Sequence, residues 1–144
     1  SHNGFIKNFN FTHKKKILKN IDSELLSSLK GNTDSEYIFF LFLHVYQKIK
    51  NISKAIYETI KILKRICNQA MLNFLIAYQT KTKQEIYATK YAINLTPPSL
   101  YYFIDKKTNI FVSSEKLDNN NWINIQENTL IKCVNKKVIT SSLL

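Results

Sequence analysis

Between Lys14 and Leu29 the apolar positions are Ile17, Leu18, Ile21, Leu25, Leu26 and Leu29, with Lys and Ser filling the other face. That spacing of three and four residues predicts an amphipathic helix. Gly31 stands where such a helix would end in a left-handed cap. Thr33 and Glu36 form a Thr-x-x-Glu pair that predicts the start of a second helix running to about Lys50. Its residues Tyr37 to Leu43 are apolar almost all round, so this helix should lie in the core. A third helix, about Ser53 to Gln69, turns Ile56, Ile60, Leu63, Ile66 and Cys67 inward and Lys54, Glu58, Lys61 and Lys64 outward.

After residue 70 the pattern shortens to that of strands. Met71–Gln79 and Glu85–Ile93 read as a hairpin across Thr80–Lys83. Pro97-Pro98 breaks the next segment. Leu100–Ile104 and Ile110–Ser113 read as a second hairpin around Asp105–Asn109, followed by a polar loop, Asp118–Asn121, before Trp122. Leu130–Val134 and Val138–Thr140 form a last pair, and the opening Ser-His-Asn-Gly-Phe-Ile reads as a strand. Helices first and antiparallel strands afterwards define an α+β layered domain. At 144 residues, with no repeat and no linker, the expectation is a single domain spanning residues 1–144.

Composition changes this picture little. Apolar residues make up 44% and aromatics 12%, enough for a packed core. The net charge of +11 would suit a polyanion. However, the residues in excess are Lys, Asn, Ile, Phe and Tyr, all encoded by A/T-rich codons, and Arg occurs once, at Arg65. Bidentate recognition of phosphate and guanine favours Arg, so nucleic acid is a disfavoured partner. Cys67 and Cys133 are far apart and lack metal-ligand spacing, so neither a disulfide framework nor a zinc site is expected. No metal and no cofactor is called for. The longest apolar run, Tyr37 to Val45, is too short to cross a bilayer, and a reducing, cytoplasmic location without membrane contact is expected. His13 and His44 have no partners at metal spacing, and His44 reads as a hydrogen-bonded core histidine.

Two short segments carry chemistry. Asn3-Gly4 can be a tight turn, or an amide and a backbone N–H aimed together at an oxyanion. Asp34 can complement the dipole of its helix, or pair with the α-ammonium of a bound amino acid. With Thr33 accounting for the cap, Asp34 is left available for that second role.

Taken together, His2-Asn3-Gly4-Phe5-Ile6 and Gly31-Asn32-Thr33-Asp34-Ser35-Glu36 are similar to the pattern of class II (N-terminal-nucleophile) glutamine amidotransferases. The branch resembled is the small γ-glutamyl amidohydrolases of ergothioneine synthesis and glutathione breakdown. Leu72-Asn73-Phe74, Tyr87–Tyr91, Ser99–Tyr102 and Val112–Asp118 with Trp122 follow in the order that branch shows. The resemblance implies an N-terminal-nucleophile αββα sandwich, of which this chain would be the C-terminal two thirds. It implies cleavage of a γ-glutamyl amide, in glutamine or a γ-glutamyl compound, by an N-terminal cysteine with its own α-amine as base. It also implies an oxyanion hole at Asn3 and Gly4, substrate-ammonium binding at Asp34, and structural roles for His2 and Glu36.

The sequence departs from the family at several positions. The nucleophilic cysteine and the upstream arginine for the α-carboxylate are not among these residues. Lys90 stands where relatives carry Arg, and Lys116 where they carry Pro. Cys67 and Cys133 read as buried hydrophobes rather than substitutes for the nucleophile. The second expectation is therefore an inactive relative serving as a binding or scaffolding subunit, with a possible partner subunit. A basic nucleic-acid-associated domain comes third.

Overall fold

The structure, a computed structural model, describes residues 1–143. The chain divides into two compact units, Phe5–Ala70 and a second made of Ser1–Gly4 with Met71 to the C-terminus. The first strand, β1 (His2–Ile6), therefore contributes residues to both.

In the Phe5–Ala70 unit, the helix expected over Lys14–Leu29 is broken into pieces. A π-type turn (Phe9–His13) leads into α1 (Lys14–Leu18), and α2 is a single turn at Ser23–Leu26. The break has a local cause, because Asn and Asp side chains offer the backbone partners that compete with a helix. The Asn20 amide donates to the Lys16 carbonyl at 2.9 Å, while Asn20 and Ile21 N–H close tight turns on Ile17 and Leu18. Asp22 is extended, with ψ 143°, and its backbone N and carboxylate lie 3.2 and 3.1 Å from His44 Nδ1.

The other two helices follow the sequence pattern. α3 (Asp34–Ile49) is capped by Thr33, whose hydroxyl accepts from the Glu36 N–H, and it ends at Lys50 in a left-handed conformation. It buries Tyr37, Ile38, Phe40, Leu41, Phe42 and Val45, but Phe39 is 51% exposed. α4 (Ile52–Ile66) is capped by Asn51 and packs on α3 through Ile52, Ala55, Ile56, Ile60 and Leu63.

Gly31 is not a left-handed cap, since neither glycine has positive φ. Its reason is space: the Glu36 carboxylate occupies the place a Cβ would take. From there Glu36 Oε1 accepts the Lys30 and Gly31 N–H at 3.1 and 2.9 Å. The capping box is thus half conventional, its glutamate satisfying the preceding loop instead of Thr33.

In the other unit, β2 (Ala70–Gln79) and β3 (Gln84–Lys90) form the expected hairpin in the register Leu75↔Ala88 to Gln79↔Gln84. β4 (Ala92–Ile93) returns to β2. The main sheet runs β1-β2-β3-β8-β9, with β8 (Thr129–Val134) and β9 (Lys137–Ser142) joined at Asn135-Lys136. Both turn residues have positive φ, as a type I′ turn requires. With two glycines in the whole chain, asparagine and lysine do this work.

A second sheet holds β5 (Tyr101–Ile104), β6 (Ile110–Ser113) and β7 (Ile123–Asn124) in the order β6-β5-β7. Between the two sheets Ala88, Leu100, Ile125, Ile131 and Cys133 form a closed core, flanked by Leu75, Ile86, Tyr102, Ile110 and Val112. Pairing of Leu75 with Ala88 and of Ala88 with Ile131 puts one apolar row on the inner face.

Candidate functional site

Asn3-Gly4 lies in β1 and is not a turn. The strand is anchored by a reciprocal pair: Ser1 N donates to Leu75 O, and Leu75 N–H to Ser1 O, both at 2.9 Å. That antiparallel register continues with His2 opposite Phe74, their rings 5.4 Å apart, and places Asn3 opposite Asn73. His2 Nε2 lies 2.8 Å from the Met71 carbonyl, so this histidine fixes the strand.

Gly4 is required by close approach alone. A Cβ there would run into the Met71 carbonyl oxygen and carbon and come within 2.8 Å of His2 Nε2. Its φ is not in the left-handed range, so no unusual backbone angle is involved. Asn3 is exposed on the strand.

Asp34 opens α3. Its carboxylate is already engaged, which corrects the expectation that it stands free. Oδ2 accepts the Ile6 N–H at 2.7 Å, and Oδ1 accepts the Ser35 N–H at 2.7 Å. Oδ1 also accepts from the Ser35 hydroxyl at 3.4 Å, whereas Oδ2 has capacity for a second hydrogen bond, so a bound ammonium can still be accommodated there. The Ile6 bond ties the end of β1 to the start of α3.

Beside β1, the β2–β3 ladder is interrupted by side chains. Thr89 Oγ1 accepts the Phe74 N–H and donates to Leu72 O, both at 2.8 Å. The ladder resumes in the same register, with Leu72 N–H on Tyr91 O at 2.8 Å. Asn73, 3% exposed, has both ends of its amide in use. Nδ2 donates to Pro98 O at 3.0 Å, and Oδ1 accepts the Tyr91 N–H at 3.2 Å. Lys90 is 8% exposed and donates to Asn124 Oδ1 at 3.2 Å. Asn73, Thr89 and Lys90 belong to the sequence pattern, which assigns them no roles. The available signal was polarity inside strands that are otherwise apolar.

At the other end of β3, Glu85 is buried in an ion-pair cluster. Oε1 lies 2.8 Å from Lys132 Nζ and 3.2 Å from Lys83 Nζ, while Oε2 accepts the Tyr87 hydroxyl at 2.8 Å. Burial pushes the Glu85 carboxyl up, but hydrogen bonds from Lys132, Tyr87 and Lys83 outweigh it and hold the carboxyl below its usual value. A cleft of about 820 Å³ opens at this end, bounded by Lys81, Lys83, Ile110, Val134 and Lys136.

Burial pushes the thiols of Cys67 and Cys133 up to about 11, so neither supplies a thiolate at neutral pH. Among the described residues no group of three or more His, Cys, Asp or Glu could hold a metal, and no helix is long and apolar enough to cross a membrane.

No family model and no curated protein matches the sequence. Among solved structures, the fold is similar to that of a glutamine aminotransferase class-II domain protein from Silicibacter pomeroyi. The TM-score is 0.76 at 22% identity, over 99% of this chain and 66% of that one. The chain thus has a fold like that of a class II glutamine amidotransferase domain and spans just under two thirds of that structure's length.

Proposed function

We propose that this chain is part of a γ-glutamyl amidohydrolase of the class II glutamine amidotransferase type. The observation that carries the reading is the hydrogen bond from Ile6 N–H to Asp34 Oδ2 at 2.7 Å. It joins Ile6, the last residue of one family-like segment, to the helix start bearing Thr33-Asp34-Ser35-Glu36, the other. The similar fold supports the same reading.

In this reading Asn3 Nδ2 and the Gly4 N–H stabilise the oxyanion formed when the γ-carbonyl is attacked, and Asp34 pairs with the substrate α-ammonium. Loss of one such oxyanion donor costs roughly 10²–10³ in rate. The nucleophile is a cysteine outside these residues, upstream in the natural polypeptide or on a partner subunit. The complete domain is then an N-terminal-nucleophile αββα sandwich. Products are glutamate and an amine or ammonia.

The test is glutamate release from glutamine and γ-glutamyl dipeptides by the natural protein. The account expects release, with Asn3→Ala lowering kcat about 10²-fold or more. Unchanged kcat in Asn3→Ala would remove the oxyanion assignment, and absence of release would favour the scaffold reading.

A further inference from the structure

Register places Lys90 in the same row as Asn3. Leu75↔Ala88 in the β2–β3 ladder, with Leu72 N–H on Tyr91 O further along, sets Asn73 opposite Lys90. The Ser1–Leu75 pair sets Asn3 opposite Asn73. Asn3 and Lys90 are therefore two strands apart, about 10 Å between backbones.

The Lys90 side chain is presented in an unusual way. Its stem is buried, while its ammonium reaches the amide oxygen of Asn124, an exposed residue of β7. An ammonium has three donors, and the partner that holds this one is a neutral amide. No carboxylate among the described residues lies within ion-pair distance of it. Nor can the Asn73 amide between Asn3 and Lys90 easily compensate the charge, since both its ends are committed to backbone. The result is a cation fixed in place without a counter-charge, which favours an anionic ligand strongly over a neutral one.

We propose that Lys90 is the receptor for a carboxylate of the substrate, and so a specificity determinant of the reaction. This rests on the γ-glutamyl reading above. Such substrates carry a carboxylate on the glutamyl moiety and, when the leaving amine is an amino acid, a second on the other side of the scissile bond. Lys90 is matched to that chemistry on either side.

Three probes separate the cases, each assayed by glutamate or glutamate-amide release with the natural protein. γ-Glutamylglycine carries a carboxylate on both sides, γ-glutamyl methylamide on the glutamyl side only, and glutamine α-amide on neither. Lys90→Gln should raise KM about 10–100-fold for the substrates bearing the recognised carboxylate. It should leave those lacking that carboxylate unchanged. An effect on both γ-glutamylglycine and the methylamide assigns the glutamyl carboxylate; an effect on γ-glutamylglycine alone assigns the leaving group. Lys90→Arg should restore most of the loss, and thermal melting of both variants checks the fold. A purely structural lysine would shift all three substrates alike. That result, or an unchanged KM throughout in folded Lys90→Gln, overturns the proposal. If the wild-type protein cleaves none of the probes, the γ-glutamyl reading itself fails and the carboxylate assignment falls with it.

Discussion

The two ends of β3 treat buried charge in opposite ways. At one end Glu85, its side chain 2% exposed, is enclosed by Lys83, Lys132 and Tyr87, so its charge is compensated within the fold. At the other end Lys90 is held by a neutral amide alone. The first arrangement accounts for itself as structure, because two ammonium groups answer the carboxylate charge and the Tyr87 hydroxyl donates to Oε2. The second leaves a charge that the protein does not answer, beside the row that carries Asn3. The comparison separates a cluster that stabilises from a residue that awaits a ligand.

The largest effect on the Lys90 end should come from Gly4→Ala. The added methyl meets backbone carbonyl at Met71, which cannot rotate away, so β1 must shift on β2. A loss of about 3 kcal/mol by chemical denaturation is expected. Tolerance within a few tenths of a kcal/mol would mean that β1 is not held in this register.

Glu85→Ala should come next, at about 1–2 kcal/mol, since the lysines it leaves behind remain partly in water. Substrate KM should be untouched by it. Lys90→Gln should show the reverse signature, with little change in stability and a large change in KM. If both substitutions behaved as structural losses, the distinction between the two ends would collapse.

Thr33→Ala removes the hydroxyl that accepts from Glu36 and should cost about 1 kcal/mol in thermal or denaturant unfolding. It serves as a control, destabilising α3 while Asp34 keeps its own bonds.

The smallest effects should appear as pH dependence. A carboxyl held below its usual value in the folded chain stabilises that chain at neutral pH. For Glu85 this contribution begins to fall below about pH 4.5, the ordinary value, and is lost as pH drops through the lower folded value. His13 behaves similarly at higher pH. Burial, aided by Lys16, lowers its pKa against a hydrogen bond donated to the Ile66 backbone, so stability present above pH 6.5 is lost as pH falls through the folded value. Melting temperature across pH 3–8 for wild type, Glu85→Gln and His13→Gln should show each inflection disappear in its own variant.

Much of this was legible in sequence. The strand pattern after residue 70 gave both longer hairpins, and Thr33 and Lys50 bound α3 as expected. The break at Asn20–Asp22 is hidden, because the apolar spacing of Lys14–Leu29 persists while the Asn20 amide bonds the Lys16 carbonyl and Asp22, extended, pairs with His44. Gly31 departs from the sequence expectation for a related reason. A glycine near a helix end commonly marks left-handed backbone, whereas this one makes room for Glu36. β7 escaped notice because two residues are too few to show alternation.

At the candidate site, motif spacing singles out Asn3, Gly4 and Asp34 for the proposal but cannot reveal that Asp34 already bonds the Ile6 N–H. Lys90 was visible only as a departure from a family pattern. Its significance lies in the missing counter-charge, which depends on neighbours that are distant in sequence.

The engagement of Asp34 also decides how the central claim should be tested. Asp34→Ala would cut the tie to Ile6 and confuse folding with binding. Asp34→Asn keeps an oxygen to accept from Ile6, gives up only the local bond from the neighbouring Ser35 N–H, and removes the charge that an α-ammonium requires. The measurement is therefore glutamate release by the natural protein carrying Asp34→Asn, beside wild type, with melting temperatures recorded for both. The account predicts a KM at least tenfold higher, or activity lost, in a variant that melts close to wild type. Unchanged kcat and KM in that folded variant would contradict it.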